Sequence, residues 1–323
     1  MKNKTIAQRA SFRLMKSVFL AFSVVLLTGI FSQCSESESV SPVSKTTLPS
    51  EEGVFGNGVN LQPSYYNGGN PNFGWTLMKQ NTKIKTVRIE IEPDKVTQAK
   101  SWISQAKSNG YTIIATYHKA SVLGSDNASE LTAAANWWKT NYSALGGGFT
   151  INLMNEWGSH NISPSSFASA YNSAISIVRQ VYSGKIIIDI PGWGQETATA
   201  ACAVKGCTSG QTKITDTNII LSAHIYPGAY NQGKSRYCNT SDIDDLASAG
   251  RSCILGEFGN QGGSGADWSG IVDYAKSKGW TIIGWAWNGD GGSMNMVTPS
   301  WASNGGATSF SKSSYFNVVY DKL

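Results

Sequence analysis

Two glutamates stand where an acidic side chain is costly. Glu156 follows Ile151-Asn152-Leu153-Met154-Asn155, and Glu257 follows Cys253-Ile254-Leu255-Gly256. A carboxylate at the end of a buried apolar strand loses hydration and needs a compensating partner. Either one alone reads equally well as a strand-end residue paired with Arg88 or Lys119. Two in matched contexts point instead to a pair that works together. The chemistry such a pair performs is displacement at a sugar carbon. One carboxyl protonates the leaving oxygen and the other attacks, about 5–5.5 Å away when configuration is retained. Gly256, just before the second glutamate, would let the backbone approach a neighbour closely.

Other polar and aromatic residues end apolar runs in the same way. They are Arg88 with Glu90, His118, Asn155, Trp193 with Gln195 and Glu196, His224 with Tyr226, and Trp285 with Trp287. The runs themselves read as eight strands: Val54–Leu61, Ile84–Ile89, Thr112–Thr116, Phe149–Met154, Lys185–Ile190, Ile219–Ala223, Ser252–Leu255 and Thr281–Trp287. Most are short, β-branched and apolar on both faces, as buried parallel strands are. Amphipathic stretches at Asp94–Ser108, Ala133–Tyr142, Ser165–Tyr182 and Ser269–Lys278 separate several of them. Strand–helix alternation predicts an α/β fold, and eight strands in this length predict a single (β/α)8 TIM barrel. An open doubly wound sheet would want a G-x-G-x-x-G turn after an early strand, and none stands there. In such a barrel the catalytic groups lie at the C-terminal strand ends, where these residues are.

At this point the sequence resembles a known family. Leu153-Met154-Asn155-Glu156-Trp157 resembles the fourth-strand Asn-Glu signature of the large barrel clan of retaining glycoside hydrolases. Ile254-Leu255-Gly256-Glu257-Phe258-Gly259 resembles that clan's seventh-strand nucleophile motif. Thr86-Val87-Arg88, Ala223-His224-Ile225-Tyr226 and Gly284-Trp285-Ala286-Trp287 look like the second-strand arginine, sixth-strand His-x-Tyr and eighth-strand tryptophan of glycoside hydrolase family 5. The order agrees, and the likeness covers about Gly53 to Asn295. It implies Glu257 as nucleophile and Glu156 as acid/base. Arg88 and Tyr226 would hold Glu257 ionised. Asn155 would bond the sugar 2-hydroxyl, and His118 and His224 would orient the sugar or the acid/base. Trp285 and Trp287, two apart on a strand, should share one face, with Trp285 as the floor under the reacting sugar. Trp157 and Trp193 would extend the groove.

The substrate expected is a β-1,4-linked polysaccharide. Pro191-Gly192-Trp193-Gly194-Gln195, Trp285-Ala286-Trp287-Asn288-Gly289 and His118 resemble segments of bacterial β-mannanases in the family, which favours mannan over cellulose. Met154 departs from that pattern, since a glycine commonly precedes Asn-Glu there. A cellulase is the alternative. From another class, a catalytically silent glycan-binding protein would require loss of a carboxylate, and both are present. An esterase would need G-x-S-x-G, which Gly262-Gly263-Ser264-Gly265 does not satisfy. No metal site and no cofactor are expected: the three histidines lie far apart, and H-E-x-x-H is missing.

Composition sets the surroundings. Only 15% of residues are charged, below the usual quarter, while glycine (34) and tryptophan (11) abound. Residues 1–33 read as a signal peptide, with Lys2, Lys4, Arg9, Arg13 and Lys16 ahead of an apolar run from Val18 to Phe31. Cleavage before Cys34 would expose a thiol for lipid attachment, as in bacterial lipoproteins; plain secretion is the alternative. Residues 34–52 read as a flexible tether and residues 53–323 as the catalytic domain. The whole chain carries +5, but without the leader it holds 21 basic and 21 acidic residues. That removes the main support for a nucleic-acid partner. A secreted or surface-anchored bacterial monomer follows, touching membrane only through a lipid. Cys202, Cys207, Cys238 and Cys253 remain, and local pairing suggests Cys202–Cys207 and Cys238–Cys253.

Overall fold

The computed structural model describes residues 55–323; the leader, Cys34 and the tether lie outside the described residues. Eight parallel strands close into a barrel: β1 (Gly58–Leu61), β2 (Thr86–Ile91), β3 (Thr112–Tyr117), β4 (Thr150–Asn152), β5 (Ile186–Asp189), β6 (Ile219–Ile225), β7 (Ser252–Phe258) and β8 (Thr281–Asn288). Their order around the ring is β1-β8-β7-β6-β5-β4-β3-β2. The helices that return the chain are α1 (Trp75–Lys79), α2 (Val96–Ser108), α3 (Ala128–Asn141), α4 (Pro164–Val178), α5 (Thr197–Lys205), α6 (Thr240–Ala247), α7 (Trp268–Ser277) and α8 (Phe316–Tyr320). Starts are well marked: Asn127 and Ser163 cap α3 and α4, and Asn239 with Asp242 forms a capping box on α6. The (β/α)8 expectation holds. Among the described residues, no helix is long and apolar enough to cross a membrane.

Inside the barrel, side-chain alternation converts an apolar floor into a polar mouth. Ile114, Ile187, Ile220, Ile254 and Ile283, covered by Phe55, form a closed cluster at the N-terminal end. Two residues further along the same strands, on the same face, stand Thr116, Asp189, Ser222, Gly256 and Trp285. The isoleucine layer keeps water out from below, so the polar layer above is solvated only from the mouth. The remaining apolar surface, including Trp102, Trp138, Trp287 and Trp301, packs between strands and helices.

Two local irregularities matter for the site. The β6–β7 register slips between Ala223 and His224, so that His224 pairs with Glu257. Gly256 is the extra residue, and a Cβ there would lie 2.2 Å from Ser222 Oγ. Only glycine fits, and the bulge turns Glu257 toward the mouth. The β1–β8 register slips between Val59 and Leu61, which breaks the alternation along β8.

Candidate active site

Arg88, fully buried on β2, is the hub of the mouth. Its Nη1 donates to Glu257 Oε1 (2.9 Å), Glu90 Oε1 (2.8 Å) and Asn60 Oδ1 (2.9 Å). Its Nη2 donates to Asn155 Oδ1 (2.5 Å) and Asp189 Oδ2 (3.2 Å), and its Nε to Asn152 Oδ1 (3.0 Å). Burial favours the neutral guanidine, but the charges of Asp189, Glu257 and Glu90 outweigh it and hold Arg88 firmly protonated.

Glu257 ends its strand facing this cation. Its second oxygen accepts a 2.7 Å hydrogen bond from Tyr226. The Tyr226 phenol is pushed well up, by burial first and by the Glu257 charge next, so it remains a donor. Arg88 and Tyr226 thus each bond one oxygen of Glu257 and fix its carboxyl at the mouth.

Glu156 sits in a different setting. Its backbone is left-handed, at φ 48°, a conformation unusual for a side chain with a Cβ. Two contacts support it: its N–H donates to Asp189 Oδ2 (3.2 Å), and its carbonyl accepts from Gly124 (2.8 Å). The side chain is 13% exposed and meets His224 Nδ1 at 2.9 Å. Burial raises its carboxyl above the ordinary value, and the nearby Glu257 charge adds to this against the opposing pull of His224. A carboxyl atom of Glu156, one of Glu257 and a His224 ring nitrogen all lie within 4.8 Å of one another.

His224 is fully buried between these acids. Nδ1 also stands 3.5 Å from Glu257 Oε1, and Nε2 stands 3.6 Å from Asp189 Oδ2. Burial would lower its pKa, yet Glu257 and Asp189 raise it well above the ordinary imidazole value. Asp189 itself is held down at about 2: burial pushes it up, but His224 and Arg88 win. The arrangement sets a carboxyl raised above its ordinary value, Glu156, beside one bonded by Arg88 and Tyr226, Glu257, a pairing that suits a general acid and a nucleophile sharing one site.

Further round the rim, His118 lies between two acids. Nδ1 is 3.1 Å from Glu92 Oε1 and Nε2 is 3.5 Å from Glu90 Oε2. Burial opposes its protonation, but Glu90 and Glu92 raise its pKa. Tyr65 contacts both His118 Nδ1 (3.0 Å) and Glu92. Trp285 faces the mouth and is fixed by its Nε1 donating to Asp290 Oδ1 (3.0 Å). Trp193 lies on the loop after β5 with its ring against Gly124, where a Cβ would sit 2.3 Å from the indole.

The structure brings together Arg88, His118, Asn155, Glu156, His224, Tyr226, Glu257 and Trp285 around one opening, with Trp193 on its rim. Trp287 is a correction. It is fully buried, donates its Nε1 to Phe73 O (2.8 Å) and belongs to the layer between barrel and helices. The register slip along β8 removes the two-residue alternation that would have placed it beside Trp285. Trp157 is likewise buried, packed on Phe167 and Tyr171.

The cysteines need a second correction. Cys202 and Cys207 are bonded, with Cα atoms 5.2 Å apart, whereas Cys238 and Cys253 are separate buried thiols. They flank opposite ends of α6, which at about 1.5 Å per residue is roughly 12 Å long, beyond disulfide reach. Burial pushes both thiols up to about 12.

Asp189, Asn60 and Asn152 are site residues that the sequence did not single out as such. The signal was present for Asp189, an acid ending Ile186-Ile187-Ile188 just as Glu156 and Glu257 end their runs.

The family model described as cellulase (glycosyl hydrolase family 5) matches residues 71–291, which hold the whole constellation from Arg88 to Trp285. The chain belongs to glycosyl hydrolase family 5. Two relatives are mannan endo-1,4-beta-mannosidases. The one from Streptomyces lividans is 27% identical over 212 residues, which is 62% of this chain and 52% of that protein. The one from Cellvibrio japonicus (strain Ueda107) is 26% identical over 210 residues, 62% of this chain and 46% of that protein. The chain thus spans about half the length of the curated relatives it matches. Among solved structures, the catalytic domain of a Streptomyces sp. SirexAA-E mannanase superimposes with TM-score 0.64 at 21% identity, covering 83% of this chain and 85% of that one. The catalytic domain of a Thermobifida fusca endoglucanase gives 0.63 at 15% identity, covering 83% and 91%. These structural likenesses show the shared barrel.

Proposed function

We propose that this family 5 chain is a retaining, endo-acting glycoside hydrolase of β-1,4-mannan. One observation carries the reading. Glu156 and Glu257 bring carboxyl atoms within 4.8 Å of each other at one opening, the Glu156 carboxyl raised above its ordinary value and the Glu257 carboxyl bonded by Arg88 and Tyr226. That spacing suits direct attack; an inverting pair stands roughly 6.5–9.5 Å apart to admit a water.

Glu257 attacks the anomeric carbon as the bond to the leaving oxygen breaks, and Glu156 gives that oxygen its proton. Water then gives a proton to Glu156, and its oxygen displaces Glu257 from the sugar. Arg88 and Tyr226 hold the Glu257 carboxyl in position for attack. His224 steadies the Glu156 carboxyl. Asn155, whose side-chain oxygen is committed to Arg88, can donate from its amide nitrogen to the 2-hydroxyl. Trp285 supplies an apolar face for the reacting ring.

Mannan rather than cellulose is supported by the two mannosidase relatives and by the Trp193-Gly194-Gln195 segment. Export through residues 1–33, with a lipid on Cys34 tethering a monomer to the cell surface, completes the proposal. Hydrolysis of glucomannan, galactomannan, carboxymethyl cellulose and xylan by wild type and Glu257→Ala tests it. Galactomannan should be cleaved by the wild type alone. Cleavage of carboxymethyl cellulose only would transfer the assignment to a cellulase, and glycan binding without turnover in both proteins would make it a binding protein.

A further inference from the structure

Large apolar side chains exposed to water are rare among the described residues, and four of the five are aromatic rings on loops at the C-terminal strand ends. They are Tyr65 (46% exposed), Trp193 (38%), Tyr230 (36%) and Tyr237 (47%); Val181, on the loop between α4 and β5, is the fifth. Tyr65 follows β1 and Trp193 follows β5. These strands are four places apart in the closed ring, so the two rings stand on opposing rims of the mouth. Tyr230 and Tyr237 follow β6 and continue the Trp193 rim. Gln195, two residues after Trp193, accepts the Tyr230 N–H at 2.8 Å. The Tyr230 and Tyr237 rings meet edge to face at 5.3 Å.

This tyrosine pair is held rigidly. It lies on a two-residue antiparallel ribbon, Tyr230–Asn231 with Arg236–Tyr237. Buried Glu196 accepts from the N–H groups of Gln232 (2.6 Å) and Gly233 (3.2 Å) at its turn. Buried Asp242 takes Arg236 (2.6 Å) and Asn231 (3.1 Å) from its stem. Tyr237 rests on Gly265, where a Cβ would come within 2.5 Å of the ring. The ribbon is also continuous with the catalytic pair: Ala229, next to Tyr230, donates to the carbonyl of Tyr226, whose hydroxyl binds Glu257.

A rigid, uncovered aromatic strip leading out of a sugar-cleaving mouth is suited to the C–H face of another sugar ring. We propose that Tyr230 and Tyr237 form a distal subsite for a pyranose unit of the same substrate chain, beyond Trp193 on the leaving-group side. The direction follows from the site. The reacting unit lies on Trp285 of β8, Glu156 after β4 protonates the leaving oxygen, and the strip after β5 and β6 stands across the mouth from β1. The proposal rests on the glycoside hydrolase reading given above.

The test is the kinetics of Tyr230→Ala, Tyr237→Ala and the double variant on β-1,4-mannotriose and mannohexaose. The double variant should lose about tenfold in kcat/KM on the hexaose through KM, with kcat and the triose kinetics unchanged. Tyr237→Phe keeps the ring face and should stay near wild type. Hexaose binding by Glu257→Ala protein, with and without the tyrosine changes, reads the same contact when turnover is nil. Equal losses on both substrates, unchanged hexaose affinity, or Tyr237→Phe falling as far as Tyr237→Ala would each overturn the subsite. Loss of a dimer on a sizing column without loss of hexaose affinity would assign the strip to contact between copies instead. Failure of the wild type on mannan, with the same length-dependent loss on cello-oligosaccharides, would sink the mannan reading and leave the subsite standing.

Discussion

Replacing Asp189 by asparagine keeps the shape of a fully buried side chain and removes its charge. In the native barrel that charge faces Arg88 at 3.2 Å and His224 at 3.6 Å, and its carboxyl is held at about 2, down from an ordinary 3.8. A depressed carboxyl contributes stability that is fully present above the unfolded-state value and is lost as pH falls through the folded one. A shift of almost two pH units at roughly 1.4 kcal/mol per unit gives about 2 kcal/mol. The amide hydrogens that the substitution introduces add a further cost that does not depend on pH. Urea unfolding of wild type and Asp189→Asn from about pH 7 down to about pH 2 separates the two. The wild-type advantage should shrink by about 2 kcal/mol across that range, mostly between pH ~4 and ~2. A gap of constant size would mean that Asp189 acts by packing alone, and no gap near pH 7 would refute the buried-charge account.

Three further outcomes follow from the same geometry. Tyr226→Phe deletes one 2.7 Å hydrogen bond to the Glu257 carboxylate; bonds to charged groups are worth roughly 1.5–3 kcal/mol, so kcat/KM should fall about 10- to 150-fold, and a loss under threefold would remove Tyr226 from the site. Glu156 carries a raised pKa, so activity should persist above the ordinary carboxyl range and decline as Glu156 loses its proton; Glu156→Gln should abolish that basic limb on substrates whose leaving group needs no proton, and a limb that survives assigns it elsewhere. His224 is raised above its ordinary value, so its stabilising charge is fully present below pH ~6.5 and fades as pH rises through the folded value; the stability gap between wild type and His224→Asn should narrow on the alkaline side and not on the acid side.

The barrel and its two principal acids were legible because their signals are local. β-branched runs at regular intervals mark parallel strands, and an acid placed after such a run is conspicuous. Helices α5 and α6 were not legible. Thr197-Ala198-Thr199-Ala200-Ala201 has no apolar stripe, and Thr240–Ala247 is only 8 residues long and half polar. The interior polar layer was read in part, because Asn60, Asn152 and Asp189 gain meaning only when closure places them around Arg88. Trp287 was misplaced because strand alternation was assumed to run unbroken through a register slip that no local composition announces. The Cys238–Cys253 pairing failed for a related reason: closeness in sequence says nothing about a helix standing between them. Gly256 went the other way, since a glycine before a strand-end acid marked a close approach that the bulge realises.

The central claim is that Glu257 attacks while Glu156 holds the proton. Proton NMR of the first product released from mannohexaose, combined with mass mapping of a trapped 2-deoxy-2-fluoro glycosyl enzyme, tests it directly. The account predicts β-configured product at the earliest times and a label on the peptide that carries Glu257. Initial α product, or a label on Glu156, would contradict it.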